Sequence, residues 1–258
     1  MSGTWPVGPE VQQRPVAGGA MLYDASRAGN ALATWFHPDW WRQRGRVQPT
    51  SGGRGSSWFI DADGRQFVLR HYRRGGLMAR VSRDRYWWRG EDATRSFAEW
   101  HLLYQLQRAG LSVPVPIAAL YLRHGRSYSA ALITERITDT QSLAALLGQA
   151  PLPLDAWIAI GRRLARFHDA GVNHADLNAH NLLIDPAGRL SLIDFDRGRL
   201  ARPGLWCDGN LVRLHRSLEK IAARLPVDRF GESDWASLLD GYFAARATGT
   251  PAAGRVAA

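Results

Sequence analysis

This 258-residue chain contains one cysteine and one lysine, and both scarcities limit what the protein can be. The lone cysteine, Cys207, excludes an intrachain disulfide and is typical of a protein kept in a reducing compartment. Because Lys220 is the single lysine, arginine supplies nearly all of the 33 basic side chains. The sequence also lacks a Cys/His cluster with metal-ligand spacing and has no internal repeat.

Long apolar runs are missing as well. No segment reaches the roughly 20 apolar residues that a membrane-spanning helix needs, and the N-terminus lacks the basic-then-apolar order of a signal peptide. We therefore expect any association with a membrane to be peripheral. We expect the Pro/Gly-rich residues 1–20 to be mobile and the Ala/Gly/Pro-rich tail 248–258 to be disordered.

Two neighbouring segments carry the strongest chemical signal. Residues 174–181 read His-Ala-Asp-Leu-Asn-Ala-His-Asn and have the Asp-x4-Asn spacing of a kinase catalytic loop. In such a loop the Asp orients and deprotonates the acceptor hydroxyl, while the Asn holds Mg²⁺. Residues 192–196 read Leu-Ile-Asp-Phe-Asp and supply a further carboxylate. The pattern predicts Asp176 as the catalytic base, with Asn181 and Asp194 as Mg²⁺ ligands.

A predicted hairpin would bring these two segments together. Residues 182–184 and 190–193 are short apolar strands, and residues 185–188, Asp-Pro-Ala-Gly, form a turn. Such a hairpin would place Asn181 and Asp194 at the same end of the ladder. Each piece alone is also typical of ordinary loops and helix caps. The prediction therefore depends on their combination and order.

A glycine-rich segment lies upstream, where a nucleotide-binding lobe would need one. Residues 51–60 read as a loop followed by a strand, and glycines allow backbone N–H groups to approach phosphate. We expect Gly53, Gly55 and the apolar Ile60 to contact the nucleotide. A glycine-rich turn by itself is a weak signal, since most such turns are ordinary hairpins.

The next strand must supply a cation for the phosphates. Asp63-Gly64 predicts a hairpin turn into a strand over residues 65–72. No lysine lies there, so we predict that Arg70 takes this role, because arginine holds two phosphate oxygens through its planar fork. Strand alternation places Val68 and Arg70 on one face, where the nucleotide would lie. A solvated edge arginine is the alternative.

An acid to hold that cation is expected from the following helix. Apolar residues recur at helical spacing over residues 94–109, and Glu99 is the only carboxylate inside this segment. We predict an Arg70–Glu99 pair. Two further strands, 117–123 and 127–134, lead to Glu135, where backbone groups would bind adenine. Later helices are predicted over 141–147, 154–168, 211–225 and 235–243.

In combination these motifs resemble a known family. The catalytic loop looks like that of the aminoglycoside- and choline-kinase-like enzymes. Together with the segments at 192–199, 53–59 and 68–76, it is more similar to the 3-deoxy-D-manno-octulosonic acid (Kdo) kinases of Gram-negative bacteria. The likeness extends from about residue 30 to about residue 245. It implies an α+β, bilobal, protein-kinase-like fold with a β-rich N-lobe at 21–137 and a compact helical C-lobe at 138–247.

The same resemblance implies an activity and its participants. ATP and Mg²⁺ would serve to phosphorylate the 4-hydroxyl of a Kdo residue on a lipid A precursor, at the cytoplasmic face of the inner membrane. Three positions depart from the wider kinase pattern. Trp58 stands at the third glycine, Asn178 stands where many protein kinases carry Lys, and Asp196 replaces the Gly after Asp194-Phe195. Asp196 adds charge near the metal or caps the following turn.

The charge of the chain indicates which class of molecule it binds. The net charge is +10, and residues 65–95 hold nine arginines against three carboxylates, interleaved with aromatic rings. Together with the tryptophans and arginines of residues 35–46, this segment suits a surface that faces anionic lipid headgroups. Nucleic acid and a solvated Arg-rich face are alternatives. Because no nucleic-acid motif is present, we favour the membrane, and no obligate protein partner is evident.

Two other functional classes stay open. A catalytically silent kinase-like module would bind anionic lipid or nucleic acid through its arginines. An antibiotic- or choline-type kinase would share the chemistry, but it predicts an acidic acceptor pocket for a cationic substrate. The presence of Asp176, Asn181 and Asp194 together favours an active enzyme, and the abundance of arginine favours an anionic acceptor.

Overall fold

The computed structural model describes residues 6–29, 32–49, 57–62, 64–73, 85–225 and 227–248. The chain divides into two compact units, one within residues 1–104 and 114–136 and the other within residues 105–113 and 137–258. The predicted glycine contacts Gly53 and Gly55 lie outside the described residues. So do the arginines of residues 74–84 and the tail beyond residue 248.

The first unit is built on an antiparallel sheet with eight strands among the described residues. The strands are β1 (Val11–Val16), β2 (Gly19–Asp24), β3 (Val47–Pro49), β4 (Ser57–Ala62), β5 (Arg65–His71), β6 (Tyr86–Trp87), β7 (Pro116–His124) and β8 (Ser127–Glu135). Their order is β1-β2-β7-β8-β5-β4-β3, and β6 pairs with β8. The helices are α1 (Ala25–Ala28), α2 (Pro38–Arg42) and α3 (Arg95–Arg108), whose last residues belong to the second unit.

Alternation along the strands decides which face of this sheet is buried. In β5, Phe67 and Leu69 are 1% and 0% exposed, whereas Val68 and Arg70 on the opposite face are half-buried. The buried face packs with Trp41 and other apolar side chains into one core cluster. Removing this apolar area from water is the main stabilising contribution to the unit.

The expectation that residues 1–20 are mobile was wrong for the strand β1. All six of its residues pair with β2, from Val11 opposite Asp24 to Val16 opposite Gly19. The strand has mostly exposed polar side chains, so it carries no hydrophobic pattern, and backbone hydrogen bonds hold it in place. Pro15 is tolerated because β1 lies at the edge of the sheet, where a missing N–H costs little.

The tryptophans of residues 35–46 were predicted to form a membrane-facing surface, and for Trp41 this is wrong. Trp41 is 1% exposed, and its Nε1 donates to the carbonyl oxygen of Trp35 at 2.7 Å. The apolar face of α2 therefore belongs to the core. Trp87 in β6 is 60% exposed and keeps the expected character of a surface aromatic.

The second unit is mainly helical. Its elements are β9 (Gln141–Ser142), α4 (Leu143–Gln149), α5 (Leu154–Asp169), β10 (Val172–Asn173), β11 (Leu182–Ile184), β12 (Leu190–Leu192), β13 (Arg199–Leu200), α6 (Trp206–Ala222) and α7 (Glu232–Ala247). Strand β11 pairs with β12 and β9, and β10 pairs with β13. The hairpin and the four predicted helices are confirmed, except that Gln141–Ser142 form the strand β9 and α6 ends at Ala222. None of the described helices is both long and apolar enough to cross a membrane.

Helices α5 and α7 approach each other through two glycines. A Cβ added at Gly161 would lie 1.9 Å from the carbonyl oxygen of Leu238, and one at Gly241 would lie 2.1 Å from that of Ile158. Both clashes involve backbone atoms, which cannot move without separating the helices. Glycine is therefore required at both positions of this crossing.

We predict that Gly161→Ala lowers the free energy of unfolding by about 1–3 kcal/mol or more, because overpacking forces the helices apart. The matched control is Gly148→Ala in α4, where an added Cβ meets nothing within 4 Å. That change is expected to stabilise the helix by up to about 1 kcal/mol. Urea denaturation checks both, and equal midpoints for the two variants would contradict the close crossing.

Candidate active site

In the first unit, Arg70 and Glu99 form the predicted ion pair. Glu99 lies on α3 and is 4% exposed, and Tyr72 Oη donates to the same Oε2 atom at 2.6 Å. Arg70 Nη2 also lies 3.2 Å from Tyr72 Oη. A buried carboxylate that receives two donors fixes the guanidinium in one place. The Arg70–Glu99 prediction is confirmed as a contact.

Sequence reasoning missed Tyr72 as a member of this group. The signal that indicates it is strand alternation, since Val68, Arg70 and Tyr72 are spaced two residues apart. Tyr72 N–H donates to Ala130 O at 3.0 Å, so pairing with β8 continues past the end of β5. Tyr72 therefore lies on the same face of the strand as Arg70, and its hydroxyl reaches Glu99.

The assignment of Ile60 to the nucleotide face needs correction. Ile60 is 2% exposed and pairs with Phe67, so it lies on the core face of the sheet. Phe59 is the residue opposite Val68 and shares the face that carries Arg70. The prediction was wrong by one residue because the strand register is set by the β4–β5 pairing, and a shift of one residue exchanges the faces.

Glu135 ends β8, and its backbone N–H is already engaged. It donates to Val115 O at 2.8 Å, and the N–H of Arg136 donates to Gln66 O at 2.9 Å. The Glu135 carboxylate lies 3.5 Å from Arg65 at the surface. Neither of these two N–H groups is available for a purine base, so Glu135 and Arg136 can offer such a base only their backbone carbonyl oxygens.

In the second unit, residues 174–181 form a loop whose backbone is held by side-chain amides. Asn178 Nδ2 and Asn181 Nδ2 both donate to the backbone carbonyl of Asp176, at 3.0 and 2.9 Å. Asn178 Nδ2 also lies 3.1 Å from Asp176 Oδ2. The exposed carboxylate of Asp176 is thus oriented from within its own loop. Sequence reasoning gave Asn178 no such role.

The hairpin of β11 and β12 joins this loop to the second motif. Leu182 pairs with Leu192, and Ile193 N–H donates to Asn181 O at 3.0 Å. Asp194 therefore comes directly after the residue that faces Asn181, as predicted. Its φ of 62° lies in the left-handed region, which non-glycine residues adopt at a cost, although Asp does so more readily than most.

These oxygen donors fit a magnesium ion. Asn181 Nδ2 faces the Asp176 carbonyl, so Oδ1 is the atom of that amide suited to a cation. An amide oxygen and the Asp194 carboxylate are the hard ligands that Mg²⁺ prefers, usually completed by phosphate oxygens and water. The described residues contain no group of three or more His, Cys, Asp and Glu that would hold a metal ion.

His174 connects the two motifs. Its Nε2 lies 3.0 Å from Ile193 O, its Nδ1 lies 3.2 Å from the N–H of Asp176, and its ring contacts Phe195 edge-on. A carbonyl only accepts and an N–H only donates, so the neutral tautomer with hydrogen on Nε2 satisfies both. Burial lowers the pKa of His174, which favours this neutral form. The imidazole is thus a structural bridge.

Helix α6 is attached to the loop at two points. Asn210 Oδ1 accepts the N–H of His174 at 3.2 Å, and Ser217 Oγ accepts the N–H of Ala179 at 3.2 Å. Asn210 Nδ2 also donates to Asn173 Oδ1 at 3.3 Å. The two attachment points lie two helical turns apart, so α6 and the loop hold a fixed register.

A cleft of about 590 Å³ opens between the loop and this helix. Asp176, Asn178 and His180 line its loop side. The remaining lining residues are Ala144, Arg213, Arg216, Ser217, Lys220, Ile221, Arg224 and Leu225. Asp176 is the only acid among them, so the cleft is strongly cationic. Sequence reasoning placed the basic surface at residues 65–95 and missed this one, although arginines at helical spacing opposite the leucines of α6 indicate it.

Comparison with known proteins identifies relatives over most of the chain. The profile of the "Lipopolysaccharide kinase (Kdo/WaaP) family" matches residues 38–242. Proteins named 3-deoxy-D-manno-octulosonic acid kinase are 49% identical over 230 residues in Xanthomonas axonopodis pv. citri (strain 306) and 48% identical over 212 residues in Xylella fastidiosa (strain M12). These alignments cover 87% and 81% of this chain, and 89% and 84% of the relatives.

The fold is also found in a solved structure. It is described as "WaaP in complex with acyl carrier protein", and it aligns with a TM-score of 0.53 at 22% identity, covering 77% of this chain and 78% of that chain. At this identity the likeness concerns the fold alone. The chain has the α+β, protein-kinase-like fold that the sequence predicted, with a sheet-rich first unit and a helical second unit.

Buried histidines predict how stability depends on pH. Burial lowers the pKa of His168 to about 4, and it also lowers the pKa of His174. Between pH 6.5 and 4 the histidines are protonated in the unfolded chain but not in the folded chain. The free energy of unfolding must therefore fall as the pH falls through this window. At about 1.4 kcal/mol per pKa unit, His168 alone accounts for a loss on the order of 3 kcal/mol.

Urea denaturation at a series of pH values measures this dependence. His168→Gln is expected to reduce the loss of stability between pH 6.5 and 4, whatever its effect at neutral pH. The residue is 2% exposed and its Nδ1 lies 2.7 Å from Tyr242 Oη, so the variant removes a buried titrating group. An equally steep profile in wild type and variant would contradict the prediction.

Proposed function

This chain belongs to the lipopolysaccharide kinase (Kdo/WaaP) family, and we propose that it transfers phosphate from ATP to the 4-hydroxyl of a Kdo residue on a lipid A precursor. As a member of this family it is an ATP-dependent phosphotransferase. The observation that carries the proposal is the exposed Asp176 carboxylate, oriented by Asn178 at a cationic cleft. A general base beside an anion-binding surface suits a hydroxyl on an acidic sugar.

Asp176 acts on the acceptor in this mechanism. Its carboxylate accepts a hydrogen bond from the attacking hydroxyl, aligns it and takes its proton as the oxygen bonds to the γ-phosphorus. The bond from that phosphorus to the β-phosphate oxygen breaks, and ADP leaves. Asn178 and Asn181 keep the Asp176 backbone in place, which reduces the cost of reaching this geometry. Asn181 and Asp194 would hold Mg²⁺, which when bound supplies positive charge to the phosphate oxygens.

The nucleotide is assigned to residues of the first unit. Arg70, immobilised by Glu99 and Tyr72, provides a bidentate cation for phosphate oxygens in place of the usual lysine. Val68 and Phe59 share its face of the sheet and provide apolar contacts for the base. Glu135 would contribute its carbonyl oxygen, and Gly53 and Gly55 their backbone N–H groups.

The membrane part of the proposal rests on charge. A net charge of +10 and the exposed ring of Trp87 suit peripheral binding to an anionic bilayer, such as the cytoplasmic face of the inner membrane. A cationic acceptor of the aminoglycoside or choline type would meet Arg213, Arg216, Lys220 and Arg224 in the cleft and be repelled. A silent module would have no need for the oriented carboxylate of Asp176.

Mass spectrometry of the glycolipid tests the acceptor. With ATP and Mg²⁺, wild type is expected to add one phosphate to a lipid A precursor that bears Kdo, and fragmentation locates it on the 4-hydroxyl. Asp176→Asn should lower kcat by about 10²–10⁴-fold, because base and alignment are lost. Asp240→Asn, an exposed site on α7, is the charge-matched control. No added phosphate with wild type, or full activity in Asp176→Asn, would refute the assignment.

The nucleotide assignment has its own test, in which two tyrosine changes are compared. Tyr72→Phe removes the hydroxyl at 2.6 Å from Glu99 and is expected to raise the KM for ATP several-fold, since Arg70 loses part of its support. Tyr121→Phe removes an equivalent hydroxyl at 2.6 Å from Glu91, away from Arg70, and should leave that KM unchanged. Steady-state kinetics with varied ATP decides between them, and equal values for the two variants would contradict the role.

A further inference from the structure

Four cations of α6 and the turn that follows it form a stripe that the catalytic chemistry does not use. We call Arg213, Arg216, Lys220 and Arg224 the α6 basic stripe. Their spacings of three and four residues place them on one side of the helix, over a length of about 16 Å at 1.5 Å per residue. The opposite side carries Leu211, Leu214 and Leu218, which are buried. The stripe therefore faces the cleft while the leucines hold the helix to the unit.

None of the four members of this stripe forms an ion pair in the part of the chain that the structure describes. Asp176 is the one acid that lines the same cleft, and Glu219, next to Lys220 in the sequence, lies 3.9 Å from His215. Like charges one turn apart on a helix repel each other. An anionic ligand bound at these four exposed cations would reduce the repulsion between them.

The stripe is in fixed register with the catalytic carboxylate. Asn210 and Ser217 attach α6 to the loop on either side of Arg213 and Arg216, so these two arginines form the loop end of the stripe. Asp176 and the stripe line the same cleft. Arg224 lies 11 residues further along, near the half-buried side chains of Ile221 and Leu225. One end of the cleft therefore holds the proposed base, and the end near Arg224 is cationic and partly apolar.

We propose that the α6 basic stripe binds the anionic groups of the acceptor, which sets the hydroxyl against Asp176. This inference rests on the proposed function. Arg213, at the loop end of the stripe, binds the carboxylate of the sugar acid that is phosphorylated. Lys220 and Arg224 bind a phosphate group carried further along the glycolipid. A stripe of this length exceeds the reach of one sugar ring and fits an acceptor with separated negative charges.

The test measures the KM for two glycolipids, one with its phosphate groups and one from which they have been removed, both carrying the sugar acid. Lys220→Gln is expected to raise the KM for the phosphorylated acceptor about tenfold, with a smaller change in kcat. For the acceptor without phosphate it should behave as wild type. Arg213→Gln should raise the KM for both. Arg162→Gln, an exposed arginine of α5 outside the cleft, is the charge-matched control.

Each outcome separates this inference from the proposed function. If wild type phosphorylates the glycolipid but Lys220→Gln matches Arg162→Gln, the stripe is not the acceptor site and the function stands. If wild type adds no phosphate, the proposed function is wrong. Co-sedimentation with vesicles that contain the glycolipid then tests whether the stripe binds this lipid. Weaker binding by Lys220→Gln than by Arg162→Gln supports it, and equal binding overturns it. Melting temperatures verify that the variants are folded.

Discussion

A buried neutral imidazole ties together the parts of the site in the second unit. His174 reaches the carbonyl of Ile193 with one ring nitrogen and the N–H of Asp176 with the other, so it joins the loop of residues 174–181 to the segment of Asp194. Because each ring nitrogen has a partner of the correct polarity, the ring is satisfied without charge. The segments that carry Asp176 and Asp194 are thus held together by a side chain that adds no charge to the interior.

The two units differ in whether their functional cations are paired with acids. In the first unit, Arg70 is compensated by a buried glutamate and a tyrosine hydroxyl, so its position is determined before any ligand arrives. In the second unit, the α6 basic stripe has no acidic partner among the described residues. A paired cation is suited to orienting a phosphate, and unpaired cations are suited to capturing an anion. The distribution of charge thus separates positioning from recognition.

Local patterns predicted the elements whose interactions are local. The hairpin of β11 and β12 followed from two apolar runs and a turn, and Asn181 and Asp194 came out at the same end of it. The Arg70–Glu99 pair followed from strand alternation and element order. Ile60 was assigned to the wrong face because register depends on the partner strand, and Trp41 was assigned to the surface because composition cannot reveal burial. The strand β1 had no hydrophobic signal at all.

The amino-acid sequence by itself indicated the chemistry that we propose for this protein, because the proposed base, Asp176, and the proposed Mg²⁺ ligands, Asn181 and Asp194, lie close together in the chain. Backbone geometry over so short a span allows few arrangements. Only the tertiary structure decided which other side chains surround that chemistry. Tyr72 reaches Glu99, and Ser217 reaches the loop, across 27 and 38 residues of chain. Contacts of that separation arise from the packing of whole helices and strands, which no local pattern encodes.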